Sequence, residues 1–515
     1  MSDVTTIEAD VPERYADAVS TCLRRAADED VVGRLWRKDG TLWAPEGTPE
    51  VTNRLGWLDI ADRERERLSE YAEFADGLRA EGYRDAVVLG MGGSSLAPEV
   101  FRQSFGVEGL HVLDSTHPDQ VREVLNRIDL DRALMIVSSK SGGTIEPMSM
   151  FKAFWDRQSD GTHFAAVTDP GTSLETLAGQ HGFRRVFYGD PDIGGRYSAL
   201  SAFGLVPAAA AGIDLAPILD GAIGAAEECR GEQGNAGLWL GCALGELARQ
   251  GRDKLTFVVD EPLTSYGLWA EQLVAESTGK LGTGILPIAD EPLLDPGAYG
   301  DDRVFVHIAT SGSTTNLDPL REAGHPVIVI RALGPTDLGR IFYLSEFAVA
   351  VAGWVLGINP FDQPNVQEAK DNTNRVLQEG SPGLEDGSLS ELTDGLAAPS
   401  YLAIMGYLPY SAETEAAVAR LRAAVMERYG VATTWGYGPR FLHSTGQFHK
   451  GGPKHGRFLQ LVDEPTEDLD VPGESFSFAT LIRAQADGDL QTLRNHGLPA
   501  VRVTVGDIDA IKEQL

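Results

Sequence analysis

The chain has 515 residues, of which 42% are apolar and 23% charged. This composition excludes a disordered or fibrous protein, and the length exceeds what one hydrophobic core supports. The 76 acidic and 44 basic residues give a formal net charge of −32. Such a surface repels nucleic acid and anionic lipid, so we expect neither nucleic acid nor a membrane as a partner. A basic residue within a Gly/Ser loop is therefore informative, because any anionic substrate must be bound against this overall field.

Three widely spaced cysteines, Cys22, Cys229 and Cys242, form neither a metal-binding spacing nor a disulfide framework. We predict that they are buried, reduced thiols. The acidic N-terminus has no apolar core and does not resemble a signal peptide. The longest apolar run, at 347–358, is too short to span a bilayer and predicts a buried helix. Together these features predict a cytoplasmic protein.

The N-terminal region predicts helices rather than strands. Residues 12–31 have a helical pattern, and the charged segment 63–81 predicts a solvent-facing helix. Between them, 36–57 is rich in tryptophan, proline and glycine. We interpret residues 1–60 as an N-terminal helical extension that packs on the rest of the protein.

From residue 85 onward, short apolar strands alternate with helices, which is typical of a doubly wound parallel α/β sheet. We predict a first domain at 61–215 and a second of the same class at 216–375. The second contains a helix at 265–278 and the apolar helix near 347. The predicted strands of the two domains are 85–89, 110–113, 133–137, 163–167, 185–188, 254–259, 284–289, 302–308 and 327–331.

A polar stretch at 378–394 precedes a third region, which we predict as a C-terminal α/β unit at 376–515. Its pattern again alternates between strands and helices. The predicted elements are strands at 401–407, 431–438, 458–461 and 500–505 and helices at 412–429 and 508–514.

The first predicted strand of the α/β region leads into Gly-Met-Gly-Gly-Ser-Ser at 90–95. A strand, glycines and then a helix offer backbone N–H groups and a helix N-terminus to an anion. A dinucleotide site, with Asp114 on the ribose, is one alternative, but Ser95 stands where its third glycine belongs. A tight turn without ligand is the other.

The third predicted strand leads into Ser-Lys-Ser-Gly-Gly-Thr at 139–144, with Glu146 just beyond it. The hydroxyls of Ser139, Ser141 and Thr144 can converge on a phosphate at a helix start, and Lys140 adds positive charge. The alternative is an ordinary helix cap. Three hydroxyls, a lysine and two glycines exceed what a cap needs, so we predict a phosphate-binding loop.

Two charged residues, Arg196 and Glu276, follow a predicted strand and end a predicted helix, respectively. Arg196 follows Gly-Gly after the fifth strand, near the edge of the sheet where ligands bind; a surface salt bridge is the alternative. Glu276 ends a helix among apolar neighbours, where desolvation would raise its pKa towards that of a useful base. A nucleotide P-loop at Lys280 is excluded, because Val274 replaces its glycine and no Ser/Thr follows the lysine.

Two segments near the end of the second domain and in the third region complete the candidates. Segment 361–370 predicts a helix capped by Gln363, with Lys370 two turns further on. A glycine-bounded loop contains His443 and His449. Metal binding by this loop is an alternative, but no third ligand is spaced for it.

In chain order these segments resemble the glucose-6-phosphate isomerase family, which is built from two sugar-isomerase (SIS) domains. The resemblance spans residues 85–370. The closest similarity is to the isomerase half of bacterial transaldolase/isomerase fusion proteins. Because only about 80 residues precede the first sheet, we expect no transaldolase barrel. Five family motifs have counterparts here. They are Gly-x-Gly-Gly-Ser at 90–94, Ser-Lys-Thr-x-Thr-Thr at 139–144 (with Ser-Gly-Gly inside), Gly-Gly-Arg at 194–196, Glu-Ser-x-Gly-Lys at 276–280 and Asp-Gln-x-x-Val-x-x-x-Lys at 362–370.

The resemblance implies a fold of two SIS domains and the interconversion of an aldose and a ketose phosphate through a cis-enediol(ate). It implies a small sugar phosphate as substrate, no metal or organic cofactor, and a homodimer as the expected assembly. The implied roles are phosphate binding by Gly93, Ser94, Ser139, Lys140, Ser141 and Thr144, proton transfer by Glu276, charge stabilisation by Arg196, ring opening by His443 and Lys370, and hydroxyl positioning by Gln272 and Gln363.

One position departs from the family pattern. The family's ring-opening histidine follows the glutamate motif within the second domain, in a Leu-His-Ser-x-Gly-Gln-like segment that is missing there. A very similar segment occurs at 442–447, so we assign the role to His443, with His449 and His307 as alternatives. A second function also stays open, because SIS domains serve as sugar-phosphate sensors. A third is an isomerase that accepts both glucose and mannose 6-phosphates.

Overall fold

Three β-sheets organise the part of the chain that the computed structural model describes, which is 7–380, 383–384, 387–506, 508–512 and 514. The first six residues of the predicted extension and parts of the polar stretch 378–394 lie outside it. Within every sheet the neighbouring strands run parallel, with one antiparallel edge strand as the exception. The predicted α/β class with parallel sheets is confirmed.

The N-terminal region contains a strand that the helical prediction missed. β1 is only four residues long and pairs antiparallel with the edge of the second sheet, too short for its alternation to be recognised. The single exposed helix predicted at 63–81 is also wrong, because the helix breaks at Arg67 and its second half buries Tyr71 and Phe74. The elements are β1 (Ile7–Asp10), α1 (Glu13–Asp28), α2 (Val31–Trp36), α3 (Ile60–Glu66) and α4 (Leu68–Ala80).

The first sheet has the strand order β3-β2-β4-β5-β6. Its central strand β4 is buried at every residue because helices cover both faces of the sheet, whereas the edge strands β3 and β6 are partly exposed. From β2 the chain continues to β3 on one side of it and then crosses to β4 on the other side. A crevice therefore opens between the loops that follow β2 and β4. Both predicted anion-binding loops border this crevice. The elements are β2 (Asp85–Leu89), α5 (Leu96–Ser104), β3 (Leu110–Leu113), α6 (Pro118–Arg127), β4 (Ala133–Ser138), α7 (Ile145–Arg157), β5 (Phe164–Thr168), α8 (Ser173–His181), β6 (Arg185–Tyr188) and α9 (Ala202–Ala210).

The second sheet has the order β1-β10-β9-β7-β8. Helix α14 is apolar and long enough to cross a membrane, but 94% of its apolar window is buried inside the protein, as predicted for a core helix. The elements are α10 (Ala216–Glu228), α11 (Ala236–Arg249), β7 (Lys254–Val259), α12 (Tyr266–Thr278), β8 (Leu286–Ile288), β9 (Arg303–Thr310), α13 (Asp318–Glu322), β10 (Val327–Ala332), α14 (Leu338–Leu356) and α15 (Val366–Glu379).

The third sheet has the order β12-β11-β13-β14, and its predicted strands are confirmed within two residues. The sequence did not predict the long helix α19, because buried polar residues interrupt its apolar periodicity: Gln485, Asp487 and Asp489 are all buried. The elements are α16 (Ser390–Thr393), β11 (Tyr401–Tyr407), α17 (Ala412–Tyr429), β12 (Ala432–Tyr437), α18 (Gly446–Gly451), β13 (Gly456–Val462), α19 (Phe478–Asn495), β14 (Ala500–Thr504) and α20 (Ile508–Lys512).

The first and third sheets meet through the segment between β3 and α6. Thr116 Oγ1 donates to Gln485 Oε1 at 2.6 Å, and His117 Nε2 lies 3.0 Å from Asp463 Oδ1. Asp463 follows β13, and the third sheet changes direction between β11 and β13. A segment of the first sheet's unit therefore lies at the crevice where an isolated sheet of this class would bind a ligand.

Candidate active site

The loop at 139–144 brings its three hydroxyls together. Thr144 is the N-cap residue of α7, yet its side chain makes no capping hydrogen bond. Instead its Oγ1 lies 3.0 Å from Ser139 Oγ and 3.4 Å from Ser141 Oγ. Gly142 adopts a φ of +72°, and a Cβ there would lie 2.8 Å from the backbone nitrogen of Leu174. The hydroxyls therefore converge beside a helix N-terminus, as a phosphate site requires.

Lys140 does not share that arrangement. Its Nζ forms an ion pair with Asp169 and donates to the carbonyl of Asp190 at 3.1 Å. The lysine that lines the cleft beside the hydroxyls is Lys370, on α15. Lys370 has no ion-pair partner among the residues that the structure describes. The structure thus assigns the free positive charge at the loop to Lys370 and differs from the predicted place of Lys140.

The glycine turn after β2 is packed against the turn that carries Arg196. A Cβ on Gly93 would lie 2.1 Å from the carbonyl oxygen of Gly195, so only glycine fits. Gly92 has a φ of +56°, and a Cβ there would lie 3.0 Å from both Gln272 Nε2 and His443 Cβ. This close packing places buried Ser94 next to the Arg196 turn.

Arg196 is 1% exposed, so the alternative of a surface salt bridge is wrong. All five of its N–H groups have acceptors. The acceptors are Ser277 Oγ at 2.8 Å, Glu276 Oε2 at 3.3 Å, Gln363 Oε1 at 2.7 Å, and the carbonyls of Pro360 at 2.7 Å and Asp362 at 3.0 Å. The guanidinium thereby holds α12 and the 360–363 turn together.

Glu276 is the carboxylate of this cluster, at the end of α12 and 7% exposed. Burial raises the pKa of Glu276, and the positive charges of Arg196 and His443 only partly oppose that rise. A carboxylate with a raised pKa is a stronger base than an exposed one. The predicted environment of Glu276 is therefore present in the structure.

The 359–363 turn is held by a second buried cation. Lys280 Nζ donates to the carbonyls of Asn359 at 2.8 Å and Asp362 at 2.6 Å and to Asp362 Oδ1 at 2.7 Å. Burial, with the charge of Arg196 added, lowers the pKa of Lys280 to about 8. Gln363 does not cap a helix as predicted: α15 begins at Val366, and the Gln363 side chain accepts from Arg196.

His443 lies in the turn after β12 and is paired with Glu146. His443 Nε2 and Glu146 Oε1 are 3.0 Å apart. Burial alone would raise the pKa of Glu146, but the charge and hydrogen bond of His443 outweigh it and the pKa is lowered. Gln272 Nε2 donates to the carbonyl of His443 at 2.7 Å, which fixes the turn against α12. The sequence placed Glu146 near the loop but did not predict this pairing.

The two alternative histidines lie elsewhere. His449 is buried against the third sheet, with Nδ1 3.0 Å from Tyr401 Oη, and burial lowers its pKa to about 3. His307, on β9, is 3.1 Å from Asp260. His443 and His449 have different partners, and the described residues contain no cluster of three or more His, Cys, Asp or Glu side chains that could hold a metal ion. Among the three histidines, His443 is the one that lines a cleft with the hydroxyl loop.

That cleft has a volume of about 190 Å³. Larger cavities of about 540 and 570 Å³ lie beside the N-terminal helices and between α5 and α17, but neither contains the hydroxyl loop, Glu276 or His443. Glu276 and Arg196 do not line the cleft itself; the Gln272–His443 contact joins their cluster to it. The cleft is lined by Ser141, Thr144, Glu146, Lys370, His443 and Gln485.

Comparison with known proteins matches this arrangement to one family. The sequence model of phosphoglucose isomerase matches residues 68–281, which include the hydroxyl loop, Arg196 and Glu276. A glucose-6-phosphate isomerase of Symbiobacterium thermophilum is 30% identical over 396 residues, 64% of this chain and 88% of that protein. The chain belongs to the phosphoglucose isomerase family. The glucose-6-phosphate isomerase of Rubrobacter xylanophilus is 28% identical over 69% of this chain and 94% of its own length.

Solved structures support the isomerase fold. A hypothetical protein from Thermus thermophilus superposes with a TM-score of 0.62 at 24% identity, over 72% of this chain and all of its own. The glucose-6-phosphate isomerase of Chlamydia trachomatis superposes with a TM-score of 0.61 at 19% identity, over 73% of this chain and 89% of its own. At these identities the similarity concerns the fold.

Glu271, a second buried carboxyl on α12, should make the stability of the protein depend on pH but should not take part in catalysis. Burial raises the pKa of Glu271 to about 8, while its Oε1 accepts from the backbone N–H of Ala289 at 3.0 Å. The folded state then holds a proton that the unfolded chain releases above about pH 4.3. The free energy of unfolding therefore falls as pH rises from about 4.3 to 8, by at most about 1.4 kcal/mol per pH unit.

We expect Glu271→Gln to remove this pH dependence, so that the variant gains most over the wild type near the upper end of that window. Urea unfolding at several pH values measures the difference. Glu73→Gln, on the exposed side of α4, is the matched control and should change nothing. A pH dependence of Glu271→Gln equal to that of the wild type would show that Glu271 does not bind the proton.

Proposed function

We propose that this chain reversibly isomerises glucose 6-phosphate and fructose 6-phosphate through a cis-enediol(ate). The observation that carries the proposal is the buried carboxylate of Glu276 beside the fully hydrogen-bonded Arg196. This pair is adjacent to a cleft that contains hydroxyls, Lys370 and His443. Family membership agrees with this chemistry.

In this mechanism the phosphate binds at Ser139, Ser141 and Thr144, whose hydroxyls lie together at the start of α7. Gly93 and Ser94 would support the site from the neighbouring glycine turn, whereas Lys140 would act only through the loop backbone, because its Nζ is paired with Asp169. Hydrogen-bond donors and a helix N-terminus stabilise the dianion without further rearrangement.

His443 and Lys370 line the same cleft, and they would open the sugar ring by exchanging protons with the ring oxygen and the anomeric hydroxyl. Glu276 would then move one proton between C1 and C2. The fixed charge of Arg196, held on Glu276, would stabilise the negative charge that develops on the enediolate. Gln272 and Gln363 would shape the pocket for the hydroxyls. A carboxylate acting on an open-chain aldehyde suffices for this proton transfer, so the proposal includes no metal or organic cofactor.

A coupled assay of fructose 6-phosphate conversion tests the function directly, and repeating it with mannose 6-phosphate tests whether a dual glucose/mannose isomerase describes the chain better. No turnover of either sugar would support a sensor instead.

We also propose a cytoplasmic enzyme, in agreement with three free, buried cysteines. A homodimer is proposed from family resemblance alone, and sedimentation measures it.

The different places of the two lysines lead to a prediction. We expect Lys370→Met to slow ring opening and also to raise KM about 10- to 100-fold, because Lys370 lies beside the hydroxyl loop and would donate to the phosphate as well. A charge-assisted hydrogen bond contributes about 1.5–3 kcal/mol. Lys140→Met is the matched control and should change KM much less, since Lys140 is neutralised by Asp169. Steady-state kinetics on fructose 6-phosphate measure both variants. If KM rises equally in the Lys370→Met and Lys140→Met variants, then Lys140 also binds the phosphate.

A further inference from the structure

The carboxylate that faces His443 has a second donor, which local sequence patterns do not indicate. Gln485 Nε2 donates to Glu146 Oε1 at 2.8 Å, the same oxygen that lies 3.0 Å from His443 Nε2. Glu146 is 4% exposed and Gln485 is 2% exposed. A buried carboxylate needs such donors to stay ionised, because water cannot supply them.

The carboxylate of Glu146 determines the orientation of the Gln485 amide, and Thr116 is compatible with that orientation. Thr116 Oγ1 donates to Gln485 Oε1 at 2.6 Å. With the amide reversed, its oxygen would face an acceptor-only carboxylate, which is unfavourable. Thr116, Gln485, Glu146 and His443 therefore form one ordered chain of hydrogen bonds that crosses from the first sheet to the third and back to the cleft.

We infer that Gln485 is a positioning residue for ring opening, which acts by holding Glu146 against His443. This inference rests on the function proposed above. Gln485 lines the cleft, but its amide has no proton to exchange with a substrate near neutral pH. Its effect on the reaction passes through Glu146, and Thr116 supports it from the far side.

The chain of bonds also determines which nitrogen of His443 exchanges a proton. An ionised Glu146 only accepts, so His443 Nε2 carries the hydrogen between them. His443 Nδ1 has no hydrogen-bond partner among the described residues and is left for the sugar. Without Gln485, Glu146 loses the contact that fixes its carboxylate, and the neutral imidazole is free to adopt either tautomer.

Gln485→Leu tests the inference, because leucine fills a similar volume without either hydrogen bond. We expect turnover of glucose 6-phosphate to fall about 10- to 100-fold with little change in KM, a part of the ~10²–10⁴ that general acid–base groups contribute. A tetrose 4-phosphate stays open because its ring-closing oxygen is esterified, so its isomerisation should fall less than threefold (about 0.6 kcal/mol). Nitrogen NMR of histidine-labelled protein, recorded at a pH where the His443 imidazole is neutral, should show a single Nε2-protonated tautomer in the wild type and a mixture in the variant.

Two further variants keep the test decisive. Gln491→Leu, on the same helix but bonded to Arg375 at 2.6 Å, is the matched control and should leave kinetics and tautomer unchanged. Thr116→Val removes only the hydroxyl that donates to the Gln485 amide oxygen and should give a smaller effect of the same kind, even if Gln485→Leu fails to fold. Equal losses on the closed and open substrates, or an unchanged His443 tautomer with full activity, would overturn the inference.

The proposed function and this inference fail in different ways. A wild-type chain with no isomerase activity would reject the proposed function. A wild-type isomerase whose Gln485→Leu and Thr116→Val variants match it on glucose 6-phosphate would retain the function and reject the positioning role.

Discussion

Glu276→Gln should fold normally and lose about two to four orders of magnitude in turnover, the scale of a lost general base. Glutamine has nearly the same shape and can still accept from Arg196 through its side-chain oxygen, so the buried cluster around the guanidinium stays satisfied. What disappears is the group that takes the proton from C1 or C2. Because phosphate binding lies elsewhere, KM should change little. The coupled assay on fructose 6-phosphate measures both constants.

Glu271→Gln is the matched control for this variant. Both residues are buried carboxyls of α12, little more than one turn apart, but Glu271 faces the backbone of Ala289 rather than Arg196. We expect Glu271→Gln to keep its turnover. Near-wild-type turnover of Glu276→Gln, or an equal loss in both variants, would remove Glu276 from the mechanism.

The raised pKa of Glu276 also predicts how activity depends on pH. The base must be ionised to act, and burial raises its pKa above that of an exposed glutamate. Activity should therefore decline as pH falls, beginning at a higher pH than an exposed glutamate would give.

His443→Ala should lower the turnover of glucose 6-phosphate by about two to four orders of magnitude while a tetrose 4-phosphate, which has no ring to open, loses far less. The reason is that His443 acts before the proton moves between C1 and C2. Its side chain lines the cleft and faces Glu146, whereas Glu276 belongs to the Arg196 cluster. Assays of both substrates with one enzyme preparation measure the ratio of the two losses.

Glu276→Gln provides the opposite pattern, because both substrates need the C1–C2 proton transfer. It should lower both turnovers alike. If His443→Ala lowers the turnover of both substrates equally, then His443 does not open the ring, and its pairing with Glu146 serves another step.

Much of the fold could be predicted from the sequence because the buried parallel strands are continuous apolar runs bounded by glycine or polar loops. β2, β3 and β6 begin and end at the predicted residues. β1 was missed because an edge strand of four mostly exposed residues has no such run. The division of the chain into four regions stays a prediction.

The candidate site was predictable where chemistry follows directly from local sequence. The hydroxyls at 139, 141 and 144 converge because one turn joins them. The partners of Lys140 and Gln363 could not be predicted, because Asp169 and Arg196 are distant in the chain and only packing brings them near. Gln485 was missed for the same reason, and because α19 itself was not recognised.

The 114–117 segment joins the C-terminal region to the unit of the first sheet, so the cleft is complete only when the two are in contact. His443 and Gln485 reach the cleft only while that region stays docked, so undocking would abolish chemistry without unfolding the phosphate loop. A sugar phosphate that binds only the docked state stabilises it by mass action. We therefore expect the backbone amides of α19 to exchange with solvent more slowly when the sugar phosphate is bound than when it is absent.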